Sequence, residues 1–254
     1  EAAQARRVGL DGIGLLRTEF LFLTSQVRPD TESQQLTYSQ IAESLKGLPL
    51  VIRTFDFGGE KLPPFLALDP EIDPLYLSVR GLAFTLAEGA LLRDQIEAIV
   101  HVAQAADVRV LLPMVIGGAD LSQVISIMDE VLNLSAGAIR PPLGAMIETP
   151  AALFCLDEIL ELVDFVTIGT NDLSHYMLAA NREFPGTNDQ ITAMHPAVLR
   201  AIAHVAKSTQ QHDCPLCVCG EEAGEPEFAQ LLIGLGIREL SISPAKAKSV
   251  RSAI

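Results

Sequence analysis

The chain is short of several things, and each shortage excludes something. It has 18 basic residues against 32 acidic ones in 254, a formal net charge of −14. That balance argues against nonspecific nucleic-acid or anionic-membrane binding, both of which need clustered positive charge. No apolar run reaches the roughly 18–20 residues that a membrane span requires, so no membrane insertion is expected. The opening EAAQARRVGL lacks the apolar core of a secretory signal and reads as the middle of a helix, so the expectation is a piece of a longer chain. Cysteines number only 4 (Cys155, Cys214, Cys217 and Cys219), a set that fits a reduced, cytoplasmic protein better than a disulfide scaffold.

What is present is a large apolar fraction. Hydrophobic residues make up 49% and charged residues 20%, enough to build one barrel-sized core. Apolar, β-rich runs alternate with helical patterns, which is the signature of repeated βα units around a parallel sheet. Strands are expected near residues 13–17, 50–55, 108–114, 143–147, 163–168, 215–219 and 238–242. The clearest helices are expected over 31–46, 86–106, 119–134, 151–161, 196–211 and 226–235. This pattern predicts an α/β fold of the TIM (β/α)8 type, one domain over 1–254, lacking its first strand. Two unpaired sheet edges should result. The Gly-, Pro- and Asp-rich stretch 56–78 reads as a long, functional βα loop.

Five of the strands share one grammar: a buried body ending abruptly in polar residues. They are GIGLLRTEF (Gly12 to Phe20), LVIRTFDFGGEK (Leu50 to Lys61), LGAMIETP (Leu143 to Pro150), VTIGTND (Val166 to Asp172) and CVCGEEAG (Cys217 to Gly224). A parallel barrel gathers such C-terminal ends on one rim, where barrel enzymes carry their chemistry.

Arg17 and Arg53 each end a strand, with an acid two or three residues later (Glu19, Asp56). Those acids could simply neutralise the buried arginines. The same pattern at two strand ends equally fits a clamp on phosphate or carboxylate oxygens. Glu148 and Asp172 end successive strands and could hold Mg²⁺, which is often bound by one or two carboxylates plus substrate oxygens and water. Alternatively they could cap the helices that follow. Cys219 could be a nucleophile, a general acid or an inert core residue. Cys214 and Cys217 form a CxxC with only His212 nearby, too little for a convincing zinc site. His175, three residues beyond Asp172, could line the site.

Taken in order, GLLRTEFLF, VIRTFDFGGEK, MIETPAA, IGTNDL and CGEEAG make the chain resemble enzyme I of the bacterial sugar phosphotransferase system, a phosphoenolpyruvate–protein phosphotransferase. The resemblance covers the phosphoenolpyruvate/pyruvate-binding barrel and spans nearly the whole chain. It implies that Arg17, Arg53 and Arg182 hold the substrate phosphate and carboxylate, with Asn171 and Asp172 beside the phosphate. Arg80 and Lys61 match further basic positions. Glu148 and Asp172 would bind Mg²⁺, and Cys219 would protonate the enolate carbon to give pyruvate.

The implied partners are the phosphohistidine domain of the same protein and a carrier of the HPr type, in a homodimer when full length. His175, Asn181, Ala83 and the Glu60 of the Gly-Gly loop depart from the family's usual residues, which points to a divergent paralogue such as a multiphosphoryl transfer protein. The alternatives are the barrel of a phosphoenolpyruvate synthase or pyruvate phosphate dikinase, and a non-catalytic barrel that senses phosphoenolpyruvate.

Overall fold

Seven β-strands form one parallel sheet in sequence order: β1 (Ile13–Arg17), β2 (Leu50–Arg53), β3 (Val108–Leu112), β4 (Leu143–Ile147), β5 (Phe165–Gly169), β6 (Leu216–Cys219) and β7 (Glu239–Ser241). In this computed structural model the described residues are 2–57, 63–67, 80–135, 137–180 and 191–254. Helices return the chain between strands, so every connection is a crossover of the kind a parallel sheet demands. All seven strands overlap the expected segments.

The strands read as continuous apolar runs because both faces are covered. One set of residues (Ile52, Val110, Ala145, Ile147, Ile168 and Val218 among them) packs outward against the helices. The alternate set, Leu15, Val51, Leu111, Met146, Phe165 and Cys219, forms a second, smaller cluster inside the barrel. Period-2 alternation therefore sends every second residue into the lumen, where the ends of the strands meet. A Cβ on Gly144 would overlap the Phe165 ring, so the bare backbone there makes room for the aromatic filler.

No ladder joins β7 to β1 among the described residues. The two edges nevertheless do not stand apart. A Cβ placed on Gly14 would lie 2.9 Å from Cβ of Ser241, so the barrel is nearly closed across the seam.

Two expected helices are broken. The stretch 86–106 holds the end of Leu82–Ala87 and all of Gly89–Ala103, separated at Glu88, whose ψ of 55° is not helical. The stretch 151–161 covers most of Pro150–Phe154 and all of Leu156–Leu160, separated at Cys155 with ψ 21°. In each case apolar periodicity runs across the break and hides it. The helix Thr170–Met177 directly after β5 carries Asn171, Asp172 and His175, and no expected helix covered it.

Candidate active site

The register of the sheet builds the site. Arg17 lies opposite Arg53, and Gly169 lies opposite Cys219, so two basic strand ends are neighbours and the thiol abuts the start of the Asp172 helix. Glu148 follows β4 directly. These ends open into a cavity of about 1280 Å³ that runs from the C-terminal rim down the seam, with Arg17, Arg53, Glu148, Asn171, Asp172 and Cys219 on its wall.

Charges on the rim alternate. Glu19 Oε1 accepts from Arg17 Nε at 2.9 Å and from Arg53 Nη2 at 2.5 Å. Asp56 Oδ2 stands 3.2 Å from Arg53 Nη2 and accepts from Arg80 Nη2 at 2.8 Å, while its Oδ1 accepts from Arg80 Nε at 3.0 Å. Arg80 then reaches Asp172, donating from Nη1 to Oδ1 at 2.8 Å and from Nη2 to Oδ2 at 3.3 Å. The acids at the ends of β1 and β2 thus do partner the strand-end arginines.

That neutralisation is incomplete, and Glu19 Oε2 is buried without a hydrogen-bond partner among the described residues. Nε of Arg53 is buried and has no hydrogen-bond partner among the described residues. Burial of a guanidinium donor without a partner is costly, which favours an oxygen-bearing ligand at that point. Burial alone would lower the affinity of Arg53 for its proton, but the surrounding acids, Asp56, Glu19 and Glu148, outweigh it and keep the side chain charged. Arg17 is half-exposed, with its guanidinium 4.4 Å above the Phe20 ring.

Glu148 is almost fully buried, and its Oε1 accepts the Met114 N–H at 2.8 Å. Met114 holds that geometry at a left-handed φ of 53°, a strained backbone of the sort that clusters at functional sites. Burial, then the negative charges of Asp172 and Asp56, push the Glu148 carboxyl up to about 8, against the pull of Arg53 and the Met114 N–H. A Cβ on Gly169 would stand 2.6 Å from Glu148 Oε2, so only glycine leaves room for the carboxylate.

The described rim therefore sets Arg17, Arg53 and Arg80 against four carboxylates, Glu19, Asp56, Glu148 and Asp172. An acid driven toward its neutral form by burial and then by like charges is a fit place for a divalent cation, which would favour the ionised state. The helix-cap alternative fails for both acids: Thr149 caps the helix after β4, accepting from Ala152 N at 3.1 Å, and the helix after β5 has no side-chain cap.

Cys219 is buried, and burial together with the Glu148 charge pushes its thiol up to about 12. It is a neutral S–H at ordinary pH, suited to giving a proton rather than attacking as a thiolate. Asn171 turns its Oδ1 toward the loop after β6, accepting the Glu221 N–H at 3.1 Å. Gly220 makes that approach possible: its φ is +122°, and a Cβ there would overlap Thr170 Oγ1.

Lys61 and Arg182 lie outside the described residues. His175 sits on the helix after β5 and is not among the residues lining the cavity. Cys214 and Cys217 are free thiols at the opposite end of β6, and no cluster of three or more ligating side chains occurs among the described residues.

A family model described as "PEP-utilising enzyme, PEP-binding domain" matches residues 1–254, the whole chain. The chain belongs to this family. Among relatives of this phosphoenolpyruvate-binding domain, a multiphosphoryl transfer protein of Rhodobacter capsulatus is 40% identical over 97% of the chain and 30% of its own length. A phosphoenolpyruvate-protein phosphotransferase of Haloferax volcanii is 38% identical over 97% of the chain and 45% of its own length. The chain thus spans less than half of either relative. A solved HpcH/HpaI aldolase/citrate lyase family protein from Burkholderia cenocepacia shares the fold at a TM-score of 0.58, with 14% identity, over 99% of this chain and 86% of that one.

Proposed function

We propose that this domain is the phosphoenolpyruvate-binding barrel of a phosphoenolpyruvate–protein phosphotransferase, taking part in Mg²⁺-dependent transfer of the phosphoryl group to a histidine outside the barrel and then to an HPr-type carrier. The observation that supports it most strongly is the convergence of Arg17, Arg53, Glu148, Asp172 and Cys219 on one cavity in a domain of this family. In this reading the protein works in sugar uptake by the phosphotransferase system, in the cytoplasm and as a homodimer when full length. No described helix is long and apolar enough to cross a membrane.

The roles proposed for single residues join this geometry to the resemblance in sequence. Arg53, buried and with Nε still available, binds a phosphate or carboxylate oxygen of the substrate, and Arg17 closes over it from the exposed side. Arg80 contributes once it exchanges part of its hold on Asp172 for substrate, joined by Lys61 and Arg182. Asn171 lies at the phosphate. Glu148 and Asp172 would hold Mg²⁺, which when bound would neutralise charge on the transferring group.

As the bond from phosphorus to the enol oxygen breaks and a bond to the histidine nitrogen forms, the remaining enolate needs a proton at its methylene carbon. Cys219 Sγ–H supplies it, and pyruvate leaves. A thiol held neutral can perform that step, and protonation on carbon makes the reverse transfer harder.

Titration calorimetry of the chain with phosphoenolpyruvate, with and without Mg²⁺, tests this function. Binding strengthened by Mg²⁺ and lost in Glu148→Ala with Asp172→Ala is expected. Affinity indifferent to Mg²⁺, or unchanged in that double variant, rules out the metal assignment; no binding under either condition rules out the substrate.

A further inference from the structure

Directly beneath the arginines lies a buried polar network that none of the proposed chemistry uses. Gln95, on the helix Gly89–Ala103, is fully buried, as are Thr18, Gln34 and Tyr38. Both strand ends that carry the clamp hang from this one amide. Gln95 Oε1 accepts the Phe55 N–H at 2.8 Å, two residues past Arg53. Gln95 Nε2 donates to Thr18 Oγ1 at 3.1 Å, one residue past Arg17, and to the Tyr38 hydroxyl oxygen at 3.0 Å. The Thr18 hydroxyl passes the chain on, donating at 2.8 Å to the carbonyl of Arg53 itself. Tyr38 donates at 3.1 Å to Gln34 Oε1, and Gln34 Nε2 donates at 3.0 Å to the Pro29 carbonyl.

Every hydrogen-bonding atom of the Gln95 amide is therefore engaged: two donors and one acceptor. A fully satisfied network of this kind admits one arrangement, because any shift leaves a buried polar group unpaired. Its position is informative. Beyond Arg17 and Arg53 the chain leaves the sheet, and Thr54 N to Leu111 O, at 2.9 Å, continues the ladder one residue past β2. The pinned residues Thr18 and Phe55 are flanked by Arg17 and Glu19 on one strand and lie next to Asp56 on the other. These are the charged groups that set the rim.

We propose that Gln95 is a positioning residue for the phosphoenolpyruvate clamp: with Thr18 it fixes the separation and exit direction of the two strand ends bearing Arg17 and Arg53. This deepens the function proposed above and rests on it. A merely structural role would make the network a set of interchangeable buried contacts. The geometry divides it instead into a part that touches the clamp strands (Gln95 to Thr18 and Phe55, with the Tyr38 hydroxyl against both Gln95 and Thr18) and a part that does not (Gln34 to the Pro29 carbonyl).

The test uses Gln95→Met, Thr18→Val and Gln34→Met, compared with the unaltered chain well below every melting temperature. Phosphoenolpyruvate affinity in the presence of Mg²⁺ should fall roughly 10- to 100-fold in Gln95→Met and Thr18→Val, the scale of a small misplacement of binding groups. Gln34→Met, which loses only bonds to Tyr38 and the Pro29 carbonyl, should melt earlier yet bind as before. A second readout needs no ligand: the ¹⁵N–¹H signals of the Arg17 and Arg53 Nε groups should shift or broaden in the first two variants and stay in place in Gln34→Met.

Affinity losses that simply track the fall in melting temperature across all three variants overturn the proposal, as do unmoved arginine signals in Gln95→Met. Should the unaltered chain bind no phosphoenolpyruvate while the arginine signals respond as described, the substrate reading fails and the positioning of the two arginines by Gln95 stands.

Discussion

Replacing Glu148 by glutamine should make the protein more stable near pH 8 and flatten its stability between about pH 5 and 8. The carboxyl titrates near 4.5 in an unstructured chain and is pushed up to about 8 in the fold, by burial first and then by Asp172 and Asp56. Between those values the folded protein holds a proton that the unfolded chain has released. Stability from this group is therefore fully present below the lower value and is lost as pH rises through the upper one. At about 1.4 kcal/mol for each tenfold change in proton affinity, the loss across the window is on the order of 5 kcal/mol.

Glutamine keeps the acceptor for the Met114 N–H and carries no charge, so it escapes that penalty. Urea unfolding of both proteins from pH 5 to 8.5 measures the effect, and the difference between the two curves removes the titrating groups that do not interact with Glu148. Mg²⁺ should stabilise the unaltered protein at pH 8 and have little effect on Glu148→Gln. Parallel pH profiles for the two proteins would refute the reasoning, because Glu148 would then be ionised at no cost, held by Arg53 alone.

Two further outcomes follow from the same geometry. In the full-length protein, Cys219→Ala should slow pyruvate formation by about 10²- to 10⁴-fold, the range of a general acid, with phosphoenolpyruvate affinity nearly unchanged; equal losses of both would make Cys219 a packing residue. Gly220→Ala should cost about 2 kcal/mol or more in chemical unfolding, since the alanine would have to adopt φ +122° and displace Thr170, and a wild-type midpoint would show that the loop after β6 relaxes freely.

Much of this was legible because strand ends write their chemistry locally. An apolar run that stops at Arg17, Arg53, Glu148 or Cys219 announces a buried body and a polar tip, and parallel topology then puts the tips on one rim. Glu19 and Asp56 were visible as possible partners, since they sit two and three residues from their arginines. Gln95 was not singled out. Its only local signal is an amide on the apolar face shared by Leu91, Leu92, Ile96 and Ile99, and its three partners lie 40 to 77 residues away. The breaks at Glu88 and Cys155 were equally silent, because apolar periodicity continues across a kink.

The sequence by itself determined the class of fold, the sheet order and the identity of the residues at each strand end, since these follow from periodicity and from motifs a few residues long. Only the tertiary structure decided how those residues divide the work of charge. It showed Glu19 shared by two arginines, Arg80 laid across Asp56 and Asp172, and Glu148 and Cys219 both held toward their neutral forms. Burial and long-range Coulomb interaction produce these effects, and neither exists until distant strands have closed around one cavity.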